Sequence, residues 1–594
     1  MMLPGWSRPY PYLSRRSLLA TPLALAACAK ASEYFGTTQP PTGQQLTYLI
    51  GGEPETLDPA RTPGGFCEFI IPALFEGLTG YHPQTLEPMA ALAKHYRVSS
   101  DELQYTFFLR GHPAPRGIRL PNTDTLRVEF LNASLSQDFS RGKYAPPDSV
   151  PARWSDGSII SAHDFVYSWR RAADPATAAP RIFMLFCVEN AEAIAARRRV
   201  PEELGVRAID DFTFQVDLCR PTPFFLRLTL NTVLYATPRQ AVRLHADSWT
   251  DPGRIVCSGA FLMSEHTAYH RVVLTPNPKY YEAELVKLKR LTFLPVEAGS
   301  TAVSLYKAGA TDAMPGDRLP QEIFPLLGKK KDFHFTSAFF TLYPVMNTTR
   351  SPFNNPFVRY AFNMATDKRE VADFFGAGRT RAIGFVPPFP AYRGPDHLPV
   401  DIGPRKVDVL SYDPRSAREL LAAAGYRDGS RLSVEYLFPT LPHSRPIAQI
   451  LQQQWRRNLG VDVKLILQEF RIWLQDIIDL NYAGIAEGGY WPNYVDPYPF
   501  LEQFVKGSPY NCTGWASTDF DAALAEANAT LDGVARLERL AGCERRLLEA
   551  MPVIPLFFYS WVYLQKPYVK GLTANALDTH PFKYVWIDTK WRPS

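Results

Sequence analysis

This 594-residue sequence lacks a strong charge of either sign, and that excludes several classes of partner. Its 64 basic and 59 acidic residues give a formal net charge of +5. Three of those basic residues, Arg8, Arg15 and Arg16, and no acid precede Cys28, so the chain from Cys28 onward carries only +2. A near-balanced surface is not the electrostatic footprint of a nucleic-acid binder, and no nucleic acid is expected. Cysteine is sparse: after Cys28 come Cys67, Cys187, Cys219, Cys257, Cys512 and Cys543, with no C-x-x-C spacing for zinc or redox work, and one or two disulfides are compatible with an oxidising compartment. Neither G-x-S-x-G, H-E-x-x-H nor G-x-x-x-x-G-K-S/T occurs, so the spacings that supply a nucleophile, a zinc site or a phosphate nest are missing. Gly376-Ala377-Gly378 lacks the third glycine of a dinucleotide fingerprint. The 11 histidines are scattered, and His163 sits at a helix start. Asp210-Asp211 and Asp519 with Asp521 fall in turn or helix-start contexts, where capping and solvation explain them. No catalytic residue, metal or cofactor is expected.

The features that are present begin with an export signal. Arg8, Arg15 and Arg16 precede an apolar stretch, Leu18 to Ala27, that is too short to span a bilayer. It ends in Leu25-Ala26-Ala27-Cys28, similar to the lipobox of bacterial lipoproteins, which makes Cys28 the expected lipidated residue after cleavage of 1–27. Ser14-Arg15-Arg16-Ser17-Leu18-Leu19 also resembles a twin-arginine core, so the export route stays open between the Sec and twin-arginine systems. Residues 28–45, with Pro40, Pro41 and Gly43, read as a tether.

The body is long enough for two or three lobes, and 46% hydrophobic residues against 21% charged is the balance of a globular protein. A strand is expected at Leu46 to Ile50. Ser161 to Asp164 forms a capping-box-like start to a helix burying Phe165, Trp169 and Ala172. Asp413-Pro414 opens another that stops at Gly425. From Leu432 the pattern reads strand (Leu432 to Leu437), helix (Ile447 to Leu459, closed by Gly460), strand (Val461 to Leu465), helix (around Ile472 to Ile477) and strand (near Ile485), a parallel βαβαβ unit. Ligands bind beyond the carboxyl ends of such strands. The segment at that end of the last strand, Glu487-Gly488-Gly489-Tyr490-Trp491-Pro492-Asn493-Tyr494-Val495-Asp496, is dense in aromatics and chain breakers and is the first candidate for ligand contact. A helix through Val534, Leu540 and Met551 and a buried strand from Val553 to Tyr563 close the pattern.

Several segments together resemble the peptide-binding solute-binding proteins of ABC importers, family 5. They are Glu53-Pro54-Glu55-Thr56-Leu57-Asp58-Pro59, Leu74-Phe75-Glu76-Gly77-Leu78, Trp154-Ser155-Asp156-Gly157 leading to Asp164-Phe165-Val166-Tyr167-Ser168-Trp169-Arg170-Arg171, Asn347-Thr348-Thr349, Tyr412-Asp413-Pro414 and Pro552-Val553-Ile554-Pro555. The resemblance implies an α/β fold of the type II periplasmic-binding-protein kind, two main lobes around a cleft plus a third. Lobe I would comprise 46–75, 206–337 and 564–594, lobe II 76–205 with an inserted loop at about 111–152, and lobe III 338–563. It implies a monomeric receptor that encloses an oligopeptide by hinge closure and delivers it to membrane permease subunits, anchored at the periplasmic or cell surface through Cys28. Main-chain hydrogen bonds would carry the affinity.

The residues expected to contact ligand are Pro63, Gly65, Glu487, Gly489, Tyr490, Trp491, Asn493 and Tyr494. Asn493 falls where oligopeptide binders commonly carry an aspartate for the peptide α-amino group, and Glu487 where some carry an arginine for the carboxylate. Pro63 and Gly65 offer main chain and no carboxylate. These departures lead to the expectation that blocked, modified or longer peptides, or a non-peptide solute, bind better than free zwitterionic peptides. The same fold binding an oligosaccharide, a metal chelate or a signalling peptide is the alternative reading. A secreted hydrolase is disfavoured by the lack of a nucleophile and base.

Overall fold

The computed structural model describes residues 33–112, 127–130, 150–316, 319–402, 405–427 and 432–593; Cys28 and the export segment lie outside the described residues. Its backbone is one long sheet through two lobes, with a smaller sheet on one of them. Aromatic and β-branched residues make Phe333–Met346 and Phe557–Gln565 strongly strand-forming, and these two antiparallel strands sit in mid-sheet. On one side follow Ala313–Pro315, Gln45–Ile50, Arg290–Pro295, Arg271–Pro276 and Phe261–Thr267. Beyond the other edge of Phe333–Met346 lie Ile485–Tyr490, Ser433–Pro439 and Asp462–Gln468. The last three are mutually parallel, joined by helices Ser444–Leu459 and Phe470–Ile478, so the βαβαβ unit forms as its periodicity indicates. Gly460 ends the first helix in the left-handed region at φ 71°.

Two large apolar cores correspond to the two sides. One gathers residues from Leu46 to Phe293 together with Tyr568 to Ile587; the other runs from Phe339 to Phe557. Between the central strands the register breaks: Ser337 pairs with Ser560 but Thr341 with Phe558, so 338–340 face a single residue, Tyr559. Phe339 turns its N–H to Ala576 O instead, at 3.0 Å.

The smaller sheet has the order Arg127–Phe130, Ala93–Val98, Gln104–Leu109, Thr213–Asp217, Val206–Asp210. Two expectations change here. The strands at 206–217, assigned to lobe I, complete the lobe II sheet, because alternating Phe214 and Val216 pack inward and Phe214 meets Trp169 edge-on at 5.1 Å. Part of the expected inserted loop at about 111–152, namely 127–130, adds an edge strand to the same sheet; residues 113–126 and 131–149 of that segment lie outside the described residues. The limits expected for lobe III, 338 and 563, fall inside the two central strands, so the lobes are continuous through them.

The sequence motifs turn out to be joints. Helix Ala162–Ala173 starts with Asp164 accepting the Ser161 N–H at 2.8 Å, a cap contributing about 1 kcal/mol. Its far end presents Arg171, whose guanidinium grips Asp58 of the opening motif, and Asp58 also accepts from Trp249 Nε1 at 3.2 Å. Glu76 accepts from the Tyr280 and Tyr281 hydroxyls and from Lys583 Nζ at 2.9 Å, tying three distant segments together. Asn347 donates to Tyr482 O at 2.9 Å and Leu480 O at 3.2 Å. Buried charge held this way is costly to break on one side only. The six described cysteines are all free.

Candidate functional site

A cavity of about 380 Å³ lies between the two cores, with walls contributed from both. The first wall starts at Pro63-Gly64-Gly65, where φ values of 108° and 63° at the glycines turn the chain into helix Cys67–Leu74. At φ 108° Gly64 holds a backbone conformation that favours glycine, and a Cβ there would come within 2.1 Å of Arg181 Nη2 and push the guanidinium aside. At Gly65 a Cβ would meet nothing within 4 Å, which leaves bare main chain beside open space. The first helical turn carries Glu68 into the same cavity. Arg181 Nη1 donates to Glu68 Oε1 at 2.8 Å and Thr232 Oγ1 donates to that oxygen at 3.0 Å. Burial raises the Glu68 pKa, against the opposing pull of Arg181 and Thr232. Glu68 Oε2, Arg181 Nε and Nη2, the Tyr81 hydroxyl and the Asn493 amide form no hydrogen bond among the described residues, although all five groups belong to residues lining the cavity.

The second wall is the loop after Ile485–Tyr490. Trp491, Pro492 and Asn493 reach the cavity, and Trp491, half-exposed, packs on Trp561 with ring centroids 4.7 Å apart. The Trp561 indole is pinned by its donation to Ala576 O at 2.9 Å. Beyond Asn493 the loop changes task. Tyr494 is buried and stacks on Phe224 of the other lobe at 4.8 Å and 15°. Asp496 takes a two-pronged bond from Arg536 (3.0 and 2.9 Å) and approaches Arg227 at 3.5 Å, while Arg227 also bonds Glu87 at 2.9 Å. Phe224 and Arg227 therefore clasp the loop from across the cleft.

Of the eight expected contact residues, Pro63, Gly65, Trp491 and Asn493 line the cavity. The other four are placed elsewhere. Tyr494 seals the lobe interface, and Tyr490 packs edge-on against Phe500 at 5.2 Å within its own lobe. Gly489 sits in the ladder opposite Leu342, where a Cβ would strike the Phe340 ring at 2.8 Å. Glu487 is 3% exposed, accepts from Ser444 Oγ and lies 3.7 Å from His443 Nε2. Burial pushes Glu487 up to about 7 and His443 down to about 4. Its side chain holds strand to helix instead of facing the cavity.

Sequence reasoning missed Glu68, Arg181, Tyr81, Asn231, Trp561 and Asp578, which also line the cavity. Glu68 carried a signal, since it lies in the first helical turn just after Pro63 and Gly65. Arg181 and Trp561 carried none. Among the described residues no group of His, Cys, Asp and Glu is arranged to hold a metal, and no helix is long and apolar enough to cross a membrane.

Residues 151–512 match the family model for bacterial extracellular solute-binding proteins, family 5 (middle). The chain belongs to that family. As a family 5 solute-binding protein it is 29% identical to the periplasmic oligopeptide-binding protein OppA of Salmonella typhimurium, over 97% of this chain and 99% of that one. The solved murein tripeptide-binding protein MppA of Escherichia coli superposes with a TM-score of 0.71 at 27% identity, covering 93% of this chain and 99% of that chain. Haemophilus influenzae OppA in complex with RPPGFSPFR gives 0.70 at 27%, covering 92% and 100%. The type II periplasmic-binding-protein-like α/β architecture of this family 5 protein is thereby established, and its relatives are solute-binding proteins and not enzymes.

Proposed function

We propose that the chain is the extracytoplasmic receptor of an ABC importer, capturing oligopeptides in the cavity between its lobes and handing them to the permease. The observation that carries this is the cavity itself: about 380 Å³, in the size range of ligand pockets, with bare main chain at Gly65 and unengaged polar groups on both walls. Main chain and polar side chains of this kind suit an extended peptide, whose own amides need partners once it is enclosed. The Phe224–Tyr494 stack and the Arg227–Asp496 contact support a closed state that cargo stabilises by touching both walls. Tethering through a lipidated Cys28 would keep the receptor near the permease, as the sequence before it suggests. Native mass spectrometry of protein purified without refolding tests the reading. A ladder of peptide masses is expected; a single sugar or chelate mass would replace peptide by another cargo.

A further inference from the structure

We propose that Glu68 reads the α-ammonium group of the cargo, supplying from the opposite wall the carboxylate that position 493 does not offer. The inference rests on the peptide-capture reading and names the residue that sets its specificity. Three observations carry it. Glu68 is fixed in place by Arg181 and Thr232, but both donate to Oε1, which leaves Oε2 as an unengaged acceptor. Its side chain keeps 31% exposure and lines the cavity shared with Asn493. Beside it Gly65 presents main chain with no side chain in the way, so the leading residue of a peptide can come close.

The chemistry is complementary on both sides of the existing ion pair. An ammonium would form an ion-paired hydrogen bond to Glu68 Oε2 and a second hydrogen bond, to an uncharged acceptor, at Asn493 Oδ1. The first peptide carbonyl oxygen accepts from the free edge of Arg181, Nε and Nη2. Arg181 pairs with Glu68 and holds it in place, so the incoming cation is met by a carboxylate whose position needs no reorganisation. A blocked amine offers neither the charge nor the same number of donors. This reverses the expectation, drawn from Asn493, Glu487 and the lack of a carboxylate at Pro63 and Gly65, that blocked peptides bind better.

Isothermal titration of the mature protein with a tripeptide and its N-acetyl form decides the matter. The free amine is expected to bind at least tenfold tighter to the wild type. Glu68→Gln is expected to abolish that preference while binding the acetylated peptide as the wild type does, with Glu68→Asp restoring part of it. A thermal melt of each variant without ligand reports folding separately. Equal affinities for the two peptides on the wild type, or a preference that survives Glu68→Gln and disappears with Asp578→Asn, would overturn the assignment. If neither peptide binds while a non-peptide solute does, peptide capture itself fails, and Glu68 with it.

Discussion

Replacing Asp496 by alanine should cost this protein several kcal/mol, and the size follows from the charge left behind. Asp496 and Arg536 have side-chain exposures of 1% and 5%, so neither charge has water as an alternative partner. Their two bonds, 3.0 and 2.9 Å, form a bidentate pair, and Asp496 also accepts the Tyr498 N–H at 2.9 Å. Removing one partner of a buried pair leaves an uncompensated ion and costs about 3–5 kcal/mol, more than the pair's net contribution. Among the described residues the Arg536 guanidinium would keep its contact with the Phe224 ring at 5.4 Å and no carboxylate partner. Asp496→Ala is therefore expected to lower the urea midpoint sharply at unchanged slope, read by tryptophan fluorescence. Asp496→Ala with Arg536→Leu should recover most of the loss, because it removes the stranded cation. A loss below about 1 kcal/mol, or a double variant no more stable than the single one, would refute the argument. Arg227 adds a second readout. Freed from Asp496, it no longer helps to clasp the lobes, so cargo affinity should fall in Asp496→Ala even at temperatures where the variant is fully folded.

Glu487 gives a pH prediction. Its folded pKa of about 7 lies above the ordinary 4.5, so below 4.5 it is protonated in both states and contributes nothing. As pH rises from 4.5 to 7 the unfolded chain ionises first, and stability is lost, reaching about 3 kcal/mol above pH 7. Glu487→Gln should consequently gain stability over the wild type as pH rises from 4.5 to 8, by denaturant titration at each pH; a difference constant with pH would contradict the burial argument. His443, pushed down to about 4, has the opposite sign and loses stability as pH falls below 6.5, so the variant should show a purer acid-side decline. Trp491→Ala should weaken cargo binding about five- to tenfold, equivalent to about 1 kcal/mol for a lost aromatic pairing, with little change in melting temperature because Trp491 is 48% exposed. A melting temperature that falls as far as for a core tryptophan such as Trp169 would show that the ring supports the fold and not the site.

Local signals were legible in proportion to how locally they are satisfied. Ser161 with Asp164, Asp413 before Pro414 and Gly460 after Leu459 each act within one helical turn, and the structure uses each as its spacing indicates. The three parallel strands around Ser433–Pro439 were legible because both connections are single helices. The site was legible on one wall only. The loop at 491–493 announces itself by composition, whereas Arg181 meets Glu68 across 113 residues and Arg227 meets Asp496 across 269. Such pairings depend on how the lobes come together, and a charge in one segment does not say which distant charge it will face. Glu487 misled for a related reason: the sequence put the end of the strand near Ile485 and Glu487 beyond it, but the strand runs on to Tyr490 and the helix that starts at Ser444 claims the Glu487 side chain.

The broken register between Ser337 and Thr341 has a mechanical reading. Because Phe333–Met346 and Phe557–Gln565 both run from lobe to lobe, the halves are joined by paired strands and not by a loose linker. The three residues 338–340 facing Tyr559 are the thin section of that connection, where the ladder on either side can twist without tearing its hydrogen bonds. In the proposed receptor, closure around cargo would bend the sheet at this section first.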